Sequence, residues 1–188
     1  DIDFSNMKIE NYFVKSDKDY KRYKLTEDGI SPRAIPSFGE GYVCVDSDEH
    51  DETGHITEEF SVRIEQNEKR NKKLNNYKDI EPVVKGDLDF ETLIIGWGST
   101  WGAINEAFEK ENKKGVAYAH FTQVFPLPKS TKELLEKAKK IISIENNFTG
   151  QFADLIKKEI GINIENRVLR ADGLPFTLEQ IQKVIKEL

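Results

Sequence analysis

From residue 93 onward, apolar positions switch regularly between a short continuous run and a helical spacing. Leu93-Ile94-Ile95 is an apolar run that ends in Gly96, Gly98 and Gly102. Ala103, Ile104, Ala107 and Phe108 then recur at helical spacing until Lys113-Lys114-Gly115, a basic last turn with a glycine stop. Val116 to Val124 reads as a second strand, closed by Phe125-Pro126-Leu127-Pro128. Ser130 to Glu133 has the form of a capping box and opens a helix through Leu134, Leu135 and Ala138, followed by the strand Ile141–Ile144 and the turn Glu145-Asn146-Asn147. After Gly150, the residues Phe152, Ala153, Leu155, Ile156 and Ile160 keep helical spacing until Gly161. Arg167 to Ala171 is the last strand, Asp172-Gly173 turns the chain, and Thr177 with Gln180 forms a second capping box for a helix facing inward through Ile181, Val184, Ile185 and Leu188. Strands alternating with helices imply parallel crossovers, so residues 86–188 are expected to form a three-layer α/β/α domain with a mostly parallel sheet. Contacts that matter should gather where its strands end, near Gly96–Ser99, Pro126–Pro128, Glu145–Gly150 and Asp172–Gly173.

The first part of the chain lacks this rhythm. Lys15 to Lys24 is highly charged, and Gly29, Pro32, Pro36, Gly39 and Gly41 follow closely, which predicts an extended arm over residues 1–56. Thr57, followed by Glu58 and Glu59, is expected to start a connecting helix within residues 57–85. It should run to about Tyr77 and carry a sparse apolar stripe of Phe60, Ile64, Leu74 and Tyr77.

Composition narrows the function. Charged residues make up 33% of the 188, and the net charge of −6 argues against nucleic acid or an anionic membrane as a partner. The basic run Lys69-Arg70-Asn71-Lys72-Lys73 reads as a solvated helix face. Cys44 is the single cysteine, which excludes disulfide frameworks, iron–sulfur ligation and Cys-x-x-Cys metal sites built within this chain. In Tyr42-Val43-Cys44-Val45 it reads as a small core residue ahead of a nucleophile. No run approaches the ~18 apolar residues of a membrane span, and a soluble, cytoplasmic protein is expected. The first residue, Asp1, suggests a piece of a longer polypeptide or trimming.

Two segments invite chemistry. Gly96-Trp97-Gly98-Ser99-Thr100-Trp101-Gly102 follows a strand and opens a helix, as a dinucleotide-binding turn does. The third glycine is displaced by one position, however, and the next strand ends in His120, Phe121 and Thr122 without a ribose-binding carboxylate. A turn that lets helix pack closely on strand is the simpler reading, ahead of a turn that touches a ligand or partner. The second segment, Asp46 to His55, gathers five carboxylates with His50 and His55. Its spacing matches neither the zincin helix nor the calcium loop. A polar turn capping the helix at Thr57 is expected first, then a contact with a partner domain or active-site rim, then a metal site. The hydrolase elbow and the phosphate-binding loop have no match.

Several segments together resemble one family. Leu25 to Pro36, Asp46 to Glu58, Gly96 to Gly102, Gln123-Val124-Phe125-Pro126-Leu127-Pro128, Glu145-Asn146-Asn147-Phe148-Thr149-Gly150-Gln151 and Asp172-Gly173-Leu174-Pro175-Phe176 are similar, in this order, to the alpha subunit of 2-oxoacid:ferredoxin oxidoreductases. The resemblance implies a thiamine diphosphate enzyme that oxidatively decarboxylates a 2-oxoacid, transfers the acyl group to coenzyme A and reduces ferredoxin through an iron–sulfur cluster. The present chain would be its transketolase C-terminal-like domain with the arm leading into it. The family's Tyr-Pro-Ile-Thr-Pro motif and Arg-Gly-Gly-Pro-Ser segment have no match, and the Mg2+-binding motif for thiamine diphosphate belongs to the beta subunit. The expectation is therefore a bracing role with no catalytic residue, metal or cofactor held by this chain. Its contacts would be with the upstream pyrimidine-binding domain and the beta subunit, and with ferredoxin through the complex. The candidate contact residues are Glu49, His50, Asp51, His55, Gly96, Gly98, Ser99, Glu145, Asn146, Asn147 and Gly150, with His50 and His55 buried at the contact. A stand-alone nucleotide-binding regulatory module and an unrelated interaction module are the alternatives.

Overall fold

In the computed structural model, which describes residues 5, 7, 8 and 11–188, strand alternation sorts the apolar residues of the second half onto two opposite faces of one sheet. The remaining residues of the expected arm lie outside the described ones. The chain divides into two units, one reaching to Tyr77 and one from Lys78 to Leu188.

The second unit holds five strands, β1 (Val83–Gly86), β2 (Thr92–Trp97), β3 (Val116–Phe121), β4 (Lys140–Glu145) and β5 (Asn166–Leu169). Their order is β1-β3-β2-β4-β5; β1 runs antiparallel to β3, and all other pairs are parallel. Four helices connect or follow them: α2 (Trp101–Glu111), α3 (Thr131–Glu136), α4 (Gln151–Ile160) and α5 (Leu178–Lys186). Leu93, Ile95, Ala117, Ala119 and Phe121 face α3 and α4, meeting Leu135, Phe152, Ala153 and Ile156. Ile94, Val116, Tyr118, Ile142 and Ile144 face α2 and α5, meeting Ile104, Ala107, Phe108, Ile181 and Ile185. These are the three layers expected, and helices on both faces explain why the central strands are apolar on both sides.

Four local details differ from the expectation. Residues 57–85 contain a helix and then the edge strand β1, which at four residues beside Pro82 is too short for its period to register. β3 stops at Phe121, and β5 covers Asn166–Leu169. Ser130 has helical backbone angles and forms no cap; its hydroxyl donates to Glu81 instead. The Thr177–Gln180 box does form, with Thr177 Oγ1 accepting from Gln180 N and Gln180 Oε1 accepting from Thr177 N.

In the first unit, α1 spans Phe60–Asn75, three residues short of Thr57 at its start. Its buried side chains are Gln66 and Lys69, both donating to the Tyr23 carbonyl. The apolar stripe points outward, with Phe60 83% and Ile64 59% exposed. Lys69 thus corrects the reading of residues 69–73 as a wholly solvated face. Polar contacts hold the preceding segment. The Tyr20 hydroxyl donates to Pro32 O at 2.9 Å and accepts from Ala34 N at 2.8 Å, while Ser16 is buried beneath Phe38 and Gly41, whose carbonyls its hydroxyl meets. Among the described residues no helix is long and apolar enough to cross a membrane.

Tyr20→Phe leaves the buried Ala34 N–H without its acceptor. The expected cost is about 1–2 kcal/mol, read as roughly tenfold faster amide exchange at Ala34 with the second unit unaffected.

Candidate functional site

The central strand β2 ends in the glycine turn. A Cβ on Gly96 would lie 2.8 Å from both Ile104 Cδ1 and Thr100 Oγ1, so this glycine lets α2 close onto the sheet, as the packing reading expects. Gly98 adopts φ +56 and begins a single 3-10 turn, Gly98–Thr100, that leads into α2. Thr100 Oγ1 donates back to Trp97 O at 2.9 Å. Gly102 differs from its neighbours: a Cβ there would meet nothing within 4 Å, so it plays no part in the close approach.

Adjacent β2 and β4 send their chains to helices on opposite faces of the sheet, α2 and α4. Their carboxyl ends therefore flank a switch-point crevice of the kind that receives ligands in open α/β sheets. Here a side chain of the protein fills the anion position. Glu145 is fully buried at the end of β4. Its Oε2 accepts from Phe152 N at 2.8 Å, from Asn147 Nδ2 at 2.8 Å and from Trp97 Nε1 at 3.4 Å; its Oε1 accepts from Ser143 Oγ at 2.6 Å and Ala153 N at 3.0 Å. Burial alone pushes this carboxyl up, but the donors Ser143, Phe152 N, Asn147 and Ala153 N outweigh it and hold the group below its ordinary range. Asn147 Oδ1 accepts from Thr149 N, Gly150 N and Gln151 N, so the first amides of α4 are all occupied from within. Gly150, at φ +76, has Arg167 Cδ 2.8 Å from where a Cβ would sit.

Around this closed centre lies an open depression of about 480 Å3, lined by Ser99, Asn146, Asn147, Arg170, Gly173 and Leu174 among others. Asn146 Nδ2 donates to Leu174 O at 3.2 Å. Arg170 pairs with Asp172 at 2.8 and 2.9 Å and reaches Pro175 O and Gln180 Oε1. The pairing with Arg170, then the Leu174 N–H, pulls the Asp172 carboxyl down to about 2. Leu174 in this lining is 59% exposed, and Phe148, next in the chain after Asn147, is 83% exposed. The structure thus brings Gly96, Gly98 and Ser99 together with Glu145, Asn146, Asn147 and Gly150 at one edge of the sheet. Arg170 completes that edge and was absent from the sequence candidates, because a single arginine at a strand end carries no periodic or motif signal.

The acidic–histidine segment belongs to the first unit and closes on itself. Asp51 Oδ1 accepts from Thr53 N, Thr53 Oγ1, Gly54 N and His55 N at 2.6–3.1 Å, and the Thr53 hydroxyl also meets His55 Nδ1 at 2.7 Å. Hydrogen bonding from Thr53 is the main reason the Asp51 carboxyl lies below its ordinary range. His50 stacks on Tyr23 with ring centroids 3.7 Å apart and donates from Nδ1 to Asp48 O. His55 is exposed. Glu49 grips Arg70 with two 3.0 Å hydrogen bonds, so the loop ties to the middle of α1 and does not cap its start. Among the described residues no three His, Cys, Asp or Glu side chains are placed to hold a metal ion.

Comparison with known proteins places the chain in a family. The chain is 36% identical over 199 aligned residues to subunit alpha of 2-oxoacid:ferredoxin oxidoreductase 1 from Sulfurisphaera tokodaii, a match that covers all of this chain and 31% of that protein. Subunit KorA of the 2-oxoglutarate oxidoreductase of Mycobacterium tuberculosis is 32% identical over 100 residues, 52% of this chain and 15% of that one. A solved 2-oxoglutarate:ferredoxin oxidoreductase from Magnetococcus marinus, with 2-oxoglutarate, coenzyme A and succinyl-CoA bound, superposes with a TM-score of 0.75 at 32% identity over 95% of this chain and 32% of that one. The chain belongs to the 2-oxoacid:ferredoxin oxidoreductase alpha-subunit family. No family model matches it. It spans about a third of the length of the full-chain relatives. Of the cofactors the family implies, a diphosphate does not fit the switch-point crevice of this alpha-subunit piece, since Glu145 and Asn147 already occupy the α4 amides; a cysteine-held cluster does not fit a chain with one cysteine.

Two outcomes test this description. Gly96→Ala is expected to cost about 1–3 kcal/mol in urea unfolding through its clash with Ile104 and Thr100, whereas Gly102→Ala, within α2 and open, should stabilise by about 0.5–1 kcal/mol. Glu145→Gln sets an amide N–H2 against backbone donors and should cost about 3 kcal/mol at pH 7. Because folding depresses the Glu145 carboxyl, its contribution is complete above the unfolded value of about 4.3 and is lost as pH falls through the lower folded value. The variant's stability should therefore fall less steeply than that of the parent on acidification.

Proposed function

We propose that this chain is the transketolase C-terminal-like domain, with its incoming arm, of an alpha subunit whose complex oxidatively decarboxylates a 2-oxoacid, passes the acyl group to coenzyme A and reduces ferredoxin. Thiamine diphosphate, Mg2+ and the iron–sulfur cluster are held by other parts of that complex, and the role of this piece is to brace the assembly. The observation that carries the reading is the crevice between β2 and β4: its anion position is filled by Glu145, while Leu174 stands exposed in a depression shared with Ser99 and Asn146, and Phe148, in the turn before α4, is exposed as well. A closed polar centre with an exposed apolar rim suits docking and not turnover. The facing surface belongs to the upstream pyrimidine-binding domain or to the beta subunit. Glu49, His50, Asp51 and His55 form a second contact on the arm.

The test uses the full-length alpha subunit co-expressed with its beta subunit. Gly98→Arg projects into open space, so the domain should fold with a penalty of only about 1–2 kcal/mol for the positive φ. Together with Phe148→Ser, it should reduce the fraction of alpha subunit recovered in the complex by roughly tenfold, with 2-oxoacid turnover falling in proportion. Normal assembly and turnover in both variants would sink the proposal.

A further inference from the structure

The first unit contains a cavity of about 530 Å3 whose charged lining is entirely cationic: Arg22, Arg33, Lys69 and Lys73, with Tyr12 and Tyr23 among the other walls. Cationic clusters on helix faces are ordinarily solvated, but Lys69 is only 5% exposed. Its ammonium spends one hydrogen on the Tyr23 carbonyl at 2.8 Å and lies 5.6 Å from the centre of the Tyr23 ring, against which the Arg22 guanidinium also packs at 5.1 Å. Among the described residues, the other two ammonium hydrogens have no acceptor. The Arg33 guanidinium sits 5.3 Å from the Phe13 ring centre. The carboxylates of this unit that form ion pairs are committed elsewhere, Glu49 to Arg70 and Glu52 to Lys21, and among the described residues none pairs with any of the four cations. Burial first, and then Lys73, Arg22 and Arg70, pull the Lys69 ammonium down to about 8, with Glu52 opposing. An anion in the cavity would reverse that penalty.

We propose that this cavity binds the phosphate group of a phosphorylated small molecule. Four cations call for more than the single charge of a carboxylate, and a phosphate monoester brings nearly two at neutral pH with three acceptor oxygens. Arginine guanidinium groups match the oxygens in pairs, while Lys69 and Lys73 act as point charges. The volume exceeds that of a bare anion and falls in the range of small-molecule sites, so Tyr12, Tyr23 and Ile30 take the organic body. This site is independent of the assembly role proposed above.

Calorimetry on the full 188-residue chain provides the test, with phenyl phosphate, inorganic phosphate and acetate as probes. Phenyl phosphate should bind one to one with a Kd below about 1 mM, and acetate at least tenfold more weakly. Lys69→Met keeps the buried stem and removes the charge, and Arg33→Gln changes an exposed group; each should weaken phenyl phosphate by about tenfold, whereas Lys113→Gln in the second unit should not. Thermal melts check that the variants fold, and Arg33→Gln alone suffices if Lys69→Met does not. Inorganic phosphate binding as tightly as phenyl phosphate supports the site and places recognition on the phosphate; weaker binding supports it and adds the organic body. No saturable binding of either phosphate up to about 10 mM, acetate binding equally well, or affinity unchanged in Arg33→Gln would overturn the assignment.

Discussion

A buried carboxylate at the amino end of α4 organises the sheet edge on which the rest of this domain is arranged. Taking Glu145 out of water is costly, and it persists only because five donors from β2, β4, the following turn and α4 converge on it. The positive end of the α4 dipole adds to that compensation. The contact to Trp97 reaches back to β2, so one charged group links the ends of two adjacent strands to the helix that follows. Removing the carboxylate would leave Phe152 N and Ala153 N without their acceptor and break that link at the same time.

The same group decides what this edge can do. In open α/β sheets, the helix amides at a switch point are the feature that makes the crevice attractive to phosphates. With Glu145 and Asn147 accepting from those amides, the feature is used up in folding. What faces outward is the depression bounded by Ser99, Asn146 and Arg170 and the exposed side chains of Phe148 and Leu174. The glycine turn contributes closeness in place of chemistry: Gly96 lets α2 descend onto β2, and Gly98 supplies the backbone reversal that starts it.

Periodicity disclosed most of the second unit, because its helices and strands bury apolar faces and little else. It disclosed less where a polar partner distant in sequence decides the outcome. Ser130 and Thr177 share a capping pattern, yet Ser130 is held by Glu81, 49 residues away, and only Thr177 caps. In α1 the apolar stripe marks the outward face, since the inward one is paid for by Gln66 and Lys69 on a single carbonyl. The turn Glu145–Gly150 was legible as a place but not as a mechanism: a carboxylate followed by two asparagines reads as a solvated turn, and only the sheet register shows Glu145 pointing beneath α4.

The contrast between the two units bears on the bracing role proposed for this piece. The second unit has a continuous core on both faces of its sheet. In the first, Ala34 is the one apolar side chain, large or small, that is buried among those described, while Tyr42, Phe60 and Ile64 are exposed. Hydrogen bonds and ion pairs that remain partly solvated contribute modestly to stability, so such a unit holds its shape by many weak contacts and leaves its apolar side chains available. Exposed apolar surface of this kind favours association. In the proposed role, the α/β domain would supply rigidity and the polar-laced arm would supply surface.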